Sequence, residues 1–250
     1  MGSIILEIRP GTGGEEAALF AHDLFRMYKR YVERKRWKMA VLEAEETGRG
    51  GLRSIAAAVD GPGVEVLGFD SGVHRVQRIP ATERAGRIHT STATVAVLPK
   101  PEEKDRQLRP QDLKVETFRA SGPGGQYVNK RESAVRMTHM PTGIVVVSQT
   151  GRTQIQNRQY ALSLLTARVN EATAQSAAAH QDELRRAQIG RAQRAEKIRT
   201  YNFPQDRLTD HRLKKSWHGL ERILDGDLQQ IVTAFDSEGK GRSHSYPNRV

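Results

Sequence analysis

The sequence predicts a mixed α+β fold that is divided into more than one domain. Segments with strand-like patterning occur in the N-terminal part and again around the middle of the chain, and two longer segments have helical patterning. Between the two groups of strands lies a charged, unpatterned stretch, Pro101–Arg106, which is typical of a linker. Because 250 residues suffice for two ordinary domains, we expect a domain boundary near this stretch.

The N-terminal part begins with a predicted strand at Ile4–Ile8, which the segment Pro10–Gly14 ends. A helix is predicted from Glu15, because two glutamates in a first turn interact favourably with the helix dipole. The helix has one apolar face and one basic face. The apolar face carries Phe20, Leu24, Met27 and Tyr31, and the basic face carries Arg26, Lys29, Arg30 and Arg34. Further strands are predicted at Met39–Leu42, Val64–Phe69 and Thr92–Leu98.

The middle part contains a predicted strand, Lys114–Phe118, and a β-hairpin over 135–149 that turns at Pro141–Gly143. A long helix is predicted over 156–189, rich in Ala, Gln, Glu and Arg. Its thin apolar stripe suggests a helix that protrudes or bridges. The predicted stripe consists of Leu162, Leu165, Val169 and Ala172.

The C-terminal part follows a break at Gly190 and a basic segment, 191–197, that we interpret as a hinge or linker. A final small unit begins at Thr200–Pro204 and ends in one predicted helix. The apolar residues of that helix are Leu220, Ile223, Leu224, Leu228 and Ile231. The last stretch, 236–250, has little apolar content, and we predict that it is disordered.

Composition restricts the function classes. With 40 Lys and Arg against 29 Asp and Glu, the net charge of +11 favours a polyanionic partner, by default a nucleic acid. The chain has no cysteine, which excludes disulfides, thiol catalysis and cysteine-based zinc sites. The eight histidines form no metal-binding pattern, and no apolar run is long enough to cross a membrane. We therefore expect a cytoplasmic protein without a metal, a cofactor or a membrane partner.

A glycine-rich loop, Ser121–Gln126, is the first stretch that could carry chemistry. Gly124 and Gly125 have no Cβ, so the backbone could approach another molecule closely, and the Gln126 amide can donate and accept hydrogen bonds. An ordinary surface loop is the alternative interpretation. Gly11–Glu15 could similarly bind phosphate at a helix start, although its glutamates favour contact with an uncharged base edge; simple helix capping is the alternative.

The stretch 72–91 combines arginines with Gln, His and Thr, the residue types that contact phosphates and base edges. His89 could stack on a base, and Gln77, Thr82 and Thr90 could bond base edges. A solvated basic hairpin would have the same composition, so both interpretations stay open here.

Six segments, in one order, resemble the bacterial class I peptide chain release factors of the first type. They are Gly11–Ala18, Gly72–Arg78, Pro80–Thr82, Gly86–Ser91, Gly124–Gln126 and Arg199–Arg212. The resemblance implies a discontinuous α/β decoding superdomain and a separate α/β domain that bears the Gly-Gly-Gln loop, a β-hairpin and a long helix. The implied boundaries are 1–108 and 200–235 for the decoding unit, 109–190 for the Gly-Gly-Gln domain, 191–199 for a switch, and 236–250 for the tail.

The resemblance also implies site residues. Pro80, Ala81 and Thr82 would select the stop codons UAA and UAG, with Thr82 at the first two bases. His89 would stack on the second base, Gln77 and Thr90 would face the third, and Gly13 with Glu16 would check the first. The catalytic set would be Gly124, Gly125 and Gln126, with N-methylation of Gln126.

An amide that does not titrate near neutral pH is a poor general base, so Gln126 would position water and stabilise developing charge on the ester. The resemblance implies that this occurs only inside the ribosome, so no stand-alone enzyme activity is expected. Implied partners are rRNA of both subunits, the mRNA stop codon, the P-site peptidyl-tRNA and a glutamine methyltransferase.

Two departures from the family pattern are present. The chain starts after the family's helical N-terminal domain, which puts stimulation by the recycling GTPase in doubt. Segment 190–195 also differs from the usual switch sequence. Ribosome rescue without a stop codon and RNA binding without release are the alternative functions. The intact decoding stretch argues against rescue.

Overall fold

The computed structural model describes residues 2–80, 83, 85–100, 108–119, 132–190, 192 and 194–239. The chain forms two compact units, one made of residues 1–100 and 181–250 and the other of residues 101–180. The larger unit is discontinuous in sequence. The predicted Gly-Gly-Gln domain, 109–190, extends ten residues beyond this division, because the end of the long helix contacts strands of the larger unit.

The larger unit is built on an eight-stranded sheet. The strands are β1 (Gly2–Pro10), β2 (Lys38–Glu46), β3 (Leu52–Gly61), β4 (Gly72–Arg78), β5 (His89–Pro99), β9 (Lys197–Asn202), β10 (Arg207–Asp210) and β11 (Lys215–His218). Their order across the sheet is β11-β10-β9-β4-β5-β1-β3-β2. All neighbours are antiparallel except β4 and β9, which are parallel. This parallel pair joins the N-terminal segment of the unit to its C-terminal segment.

Helix α1 (Glu15–Arg34) covers one face of this sheet. Its predicted apolar stripe is confirmed, because all four residues are buried in the main hydrophobic core, and the basic face is exposed. Strand β1 contributes Ile4, Leu6 and Ile8 to that core at a spacing of two, as a strand must when one face is buried. The predicted strands at Ile4–Ile8, Met39–Leu42 and Thr92–Leu98 are likewise confirmed.

Three sequence predictions about this unit are wrong or incomplete. Val64–Phe69 belongs to a 3₁₀ helix, Val64–Asp70, in which Val64, Leu67 and Asp70 are buried at the three-residue spacing of that helix. The C-terminal helix is two helices, α3 (Leu220–Leu224) and α4 (Gln229–Gly239), so the predicted disordered tail from 236 begins inside a helix. Strand β9 starts at Lys197, inside the segment assigned to the switch.

A buried ion network holds the parallel pair together. The Arg199 guanidinium on β9 pairs with Asp70 and donates to Asp210 Oδ2 at 2.9 Å, and all three residues are fully buried. Arg212 donates to the same Asp210 oxygen at 2.8 Å. His74 on β4 lies beside the network, with Nε2 2.8 Å from the Asp70 carbonyl oxygen and Nδ1 3.2 Å from the Tyr201 hydroxyl.

The smaller unit has a three-stranded antiparallel sheet in the order β6-β7-β8. Strand β6 is Leu113–Phe118, and β7 (Ala134–His139) with β8 (Ile144–Ser148) confirms the predicted hairpin. Helix α2 (Gln154–Ile189) buries Asn157, Ala161, Leu165 and Val169. The predicted stripe is therefore half right, because Leu162 and Ala172 are exposed. Asn157 donates to Ser133 O at 2.8 Å and accepts from Gly151 N at 2.7 Å, which satisfies this buried amide.

The last nine residues of α2 contact the sheet of the larger unit. The Gln188 amide accepts from Val97 N at 2.9 Å and donates to Val97 O at 2.8 Å. Strand β4 begins at Gly72, opposite Val95, so Gln188 satisfies backbone groups of β5 that β4 does not reach. Arg185 adds a two-pronged ion pair to Glu7, with both N–O distances 2.6 Å.

Candidate nucleic-acid interface

The predicted third-base residues lie directly opposite each other. Gln77 near the end of β4 pairs with Thr90 near the start of β5, and Arg78 pairs with His89. Cross-strand partners point to the same face of a sheet, so Gln77 and Thr90 form one polar pair. Both are partly exposed, and His89 is exposed at the mouth of the β4–β5 connection. The structure therefore brings Gln77 and Thr90 together on one face, with His89 in the next register position, where strand alternation directs its side chain to the other face.

Glu83 organises the connection between these strands, and the sequence analysis gave it no role. Its backbone N–H donates to Pro80 O at 3.0 Å. Its carboxylate accepts from Ala85 N at 2.7 Å and lies 2.7 Å from His89 Nε2. The N–H of Ala85, together with His89, holds the pKa of Glu83 below its usual value. Glu83 thus fixes the orientation of the His89 ring. The sequence signal that could have pointed to Glu83 is that it is the one acidic residue in the basic stretch 72–91.

The start of helix α1 lies against the start of β5. Gly11 N donates to Thr92 O at 2.8 Å, and Thr92 N donates to Thr12 O at 2.9 Å. Gly13 has a φ of +139°, and a Cβ there would come within 2.3 Å of the Ser91 hydroxyl. Position 13 therefore requires glycine, because of its positive φ and because a Cβ would collide with Ser91, the residue after Thr90. Gly13 is thereby held against Ser91, the residue that follows Thr90 on β5.

Glu16 is placed differently from the prediction that it contacts a base. Its side chain is only 4% exposed and accepts from Arg78 Nε at 2.6 Å. Arg78 also pairs with Asp23 at 2.7 Å and lies over the Phe203 ring at 5.2 Å. Although burial opposes it, these two carboxylates raise the pKa of Arg78. The Glu16 carboxylate therefore anchors β4 to α1. Arg78 and Asp23 are further site residues that sequence reasoning missed.

The backbone N–H groups at the start of α1 retain bonding capacity. The helix has Gly14 at its N-cap, and within the described ranges no side-chain cap hydrogen bond is present there. The first N–H groups of a helix have no partner within the helix. The α1 start therefore offers neutral donors near Ser91 on β5, without a side chain in the way at Gly13. Such donors suit a base carbonyl oxygen.

The remaining predicted site residues lie outside the described residues. These are Ala81 and Thr82 of the decoding tripeptide and Gly124, Gly125 and Gln126 of the glycine-rich loop. Pro80 is described and buried at the end of β4. Within the described ranges, no three His, Asp or Glu side chains cluster as metal ligands would. No helix in the same ranges is long and apolar enough to span a membrane.

Comparison with known families and proteins extends this description. The PCRF domain matches residues 1–95, and the RF-1 domain matches residues 102–212. Peptide chain release factor 1 of Thermotoga maritima is 60% identical over 230 residues, which cover 92% of this chain and 67% of that protein. The same factor of Hydrogenobaculum sp. is 54% identical over 94% of this chain and 67% of its own length.

A solved structure is also similar. RF2 of Thermus thermophilus is 37% identical, has a TM-score of 0.58, and is aligned over 96% of this chain and 69% of its own. The chain thus spans about two thirds of the length of these relatives. Matches of this identity and coverage, in order along the chain, show that it belongs to the bacterial peptide chain release factor 1 family, whose members end translation at UAA and UAG on the ribosome.

Proposed function

We propose that this chain reads the stop codon with the surface formed by the β4–β5 connection and the start of α1. Gln77 and Thr90 contact the third base, and the His89 ring stacks on the second. Pro80, Ala81 and Thr82 select the first two bases, and the backbone at Gly13 and Glu16 contacts the first. The observation that carries this assignment is the direct pairing of Gln77 with Thr90, with His89 in the next register position.

The chemistry of these groups supports the proposal. Gln and Thr side chains each donate and accept, so one pair can meet the edge of either purine at the third position. His89 is held from one edge by Glu83 at 2.7 Å, which leaves its face free to stack. The orphan N–H groups of α1 are neutral donors, which agrees with a base edge rather than a phosphate beside Glu15 and Glu16.

The proposal assigns peptide release to Gly124, Gly125 and Gln126. The two glycines let the backbone N–H of residue 126 approach the ester, and the Gln126 amide aligns the attacking water. No general base is present in this tripeptide, so the ribosome supplies the rest of the site. These roles rest on the sequence alone.

The partners follow from these roles. We assign the mRNA stop codon to the β4–β5 surface and the P-site peptidyl-tRNA to the glycine-rich loop, with contacts to rRNA of both subunits. A glutamine methyltransferase would modify Gln126. The proposed location is the cytoplasm, where bacterial ribosomes work. A recycling GTPase is not included among the proposed partners.

The test is peptide release from ribosomes programmed with UAA, UAG, UGA or a sense codon. Release on UAA and UAG alone supports the proposal, and Gln126→Ala should abolish it. Asn129→Ala, a nearby amide outside the glycine triplet, serves as the matched control and should retain release. Thr82→Ala should weaken discrimination among codons. Release that ignores the codon would indicate ribosome rescue, which the relatives do not favour, and no release would indicate simple RNA binding.

A further inference from the structure

A basic cluster lies on the outer face of the sheet, next to the proposed third-base pair. Arg75 precedes Gln77 by two residues on β4, so both side chains point away from α1. Arg75 is opposite Thr200 on β9, and its Nε donates to the Thr200 hydroxyl at 3.1 Å. The same hydroxyl lies 2.7 Å from His211 Nε2. Lys197 is opposite Val73, just before a register irregularity in the β4–β9 pair, and both Lys197 and Arg75 lie near His211.

The charge of this cluster is not neutralised by carboxylates. In the described part of the chain, neither Arg75 nor Lys197 has an ion pair, and the Arg75 hydrogen bond to Thr200 uses only Nε. Burial lowers the pKa of Arg75, as expected for a partly buried guanidinium without a carboxylate partner. Burial, with Lys197 and Arg75 nearby, also lowers the pKa of His211. Asp210 is the acid nearest to His211, but it is fully buried on the other face and paired with Arg199 and Arg212.

The unpaired state of Arg75 contrasts with the other arginine near the proposed third-base pair on β4. Arg78, only three residues along β4, makes two ion pairs at 2.6 and 2.7 Å. A partly buried guanidinium is normally paired, so an unpaired one beside a lysine and a hydroxyl indicates a site for an anion. The terminal amino groups of Arg75 can bind two oxygens at once, which suits a phosphate.

We propose that Arg75, Lys197 and His211 bind the mRNA phosphate that follows the third base of the stop codon, and that the buried Thr200 hydroxyl holds Arg75 and His211 in place. The inference rests on the proposed function, which assigns the third base to Gln77 and Thr90. Two residues along a strand span about 6.7 Å, a distance that one extended nucleotide can bridge. The phosphate 3′ to the third base is therefore within reach of Arg75. The cluster would hold the mRNA in register while the base edges are read.

The test uses three mRNAs that place UAA in the A site. One ends at the codon with a 3′-hydroxyl, one ends there with a 3′-phosphate, and one continues for several nucleotides. Arg75→Gln should raise the concentration for half-maximal release about tenfold on the last two. On the mRNA that ends in a 3′-hydroxyl, the variant and the unsubstituted chain should behave alike. Lys197→Gln should show the same pattern with a smaller change.

Matched controls are Arg53→Gln and Lys29→Gln, which remove the same charges from exposed positions elsewhere in the larger unit and should not depend on the mRNA end. An equal loss on all three mRNAs would assign the phosphate to ribosomal RNA and overturn the proposal. No loss on any of them would overturn the phosphate site itself. If Arg75→Gln unfolds, Lys197→Gln decides alone. Failure of the proposed function is separate, because it would appear as equal release on UAA and a sense codon by the unsubstituted chain.

Discussion

On strand β4, His74 and Arg78 point toward α1 and the hydrophobic core, whereas Arg75 and Gln77 point to the opposite face. Inward-pointing polar groups meet partners from distant parts of the chain, such as Tyr201 and Glu16. Among the described residues, the outward-pointing Arg75 and Gln77 bond to a hydroxyl and to an amide, and no carboxylate pairs with Arg75. The difference indicates that charge pairing on the inner face stabilises the fold, and that bonding capacity on the outer face remains available to a ligand.

The largest expected effect comes from breaking the inner network at Arg199. Arg199→Met would leave two buried carboxylates, Asp70 and Asp210, without their shared cation. Removing one partner of a buried ion pair costs about 3–5 kcal/mol, so the urea unfolding midpoint should fall with an unchanged slope. Arg222→Met, which breaks an exposed pair with Asp227, is the control and should have little effect. A loss for Arg199→Met as small as that of the control would contradict the structural role.

A second, smaller effect is a dependence of stability on pH through His74. Burial, with Arg199 nearby, lowers the pKa of His74 to about 3 from 6.5. Below pH 6.5 the unfolded state therefore binds a proton that the folded state does not, and stability falls as the pH falls. Between pH 6.5 and 5 the free energy of unfolding should drop by about 1.5–2 kcal/mol from this group.

The measurement is urea unfolding of the native chain and of His74→Gln at several pH values in that window. Burial raises the pKa of Asp70, so Asp70 contributes with the opposite sign, and this contribution is present in both proteins. The variant should lose most of the slope even if its stability at pH 7 is lower. The pKa of His211 is also lowered, so His211 makes stability depend on pH in the same direction as His74, but it is present in both proteins. An identical slope in the two proteins would show that His74 does not titrate as described.

The inner face was also the harder one to predict from sequence. The periodicity of α1, the strand alternation of β1 and the turn at Pro141–Gly143 depend on neighbours in sequence, and each was predicted correctly. Pairing between β4 and β9 joins residues more than 120 positions apart. The first residues of β9, Lys197–Arg199, were therefore assigned to the switch from sequence, whereas the structure shows Asp70 and Asp210 compensating the buried charge of Arg199.

The residues of the candidate site likewise fall into those that could be predicted from sequence and those that could not. Gln77, His89 and Thr90 could be nominated from residue type and family resemblance, because exposed polar side chains near a turn are visible in sequence. Glu83 and the Glu16–Arg78 pair could not, because their roles depend on distances that only the fold fixes. The strand predicted at Val64–Phe69 failed for a related reason, since alternation of apolar residues over six positions also fits the three-residue spacing of a 3₁₀ helix.

The smallest effect on stability is expected on the outer face of β4, and measuring it tests most directly whether the two faces of the strand differ in role. Gln77→Ala removes a partly exposed amide whose one bond to another side chain is the 3.4 Å contact with Asn202. The free energy of unfolding should change by less than about 0.5 kcal/mol. If the side chain reads the third base, the ratio of release rates on UAA and UAU should fall about tenfold, the effect of losing one good hydrogen bond. Asn202→Ala, on the neighbouring strand, is the matched control and should leave that ratio unchanged. A large loss of stability with an unchanged ratio would mean that this face, too, is part of the scaffold.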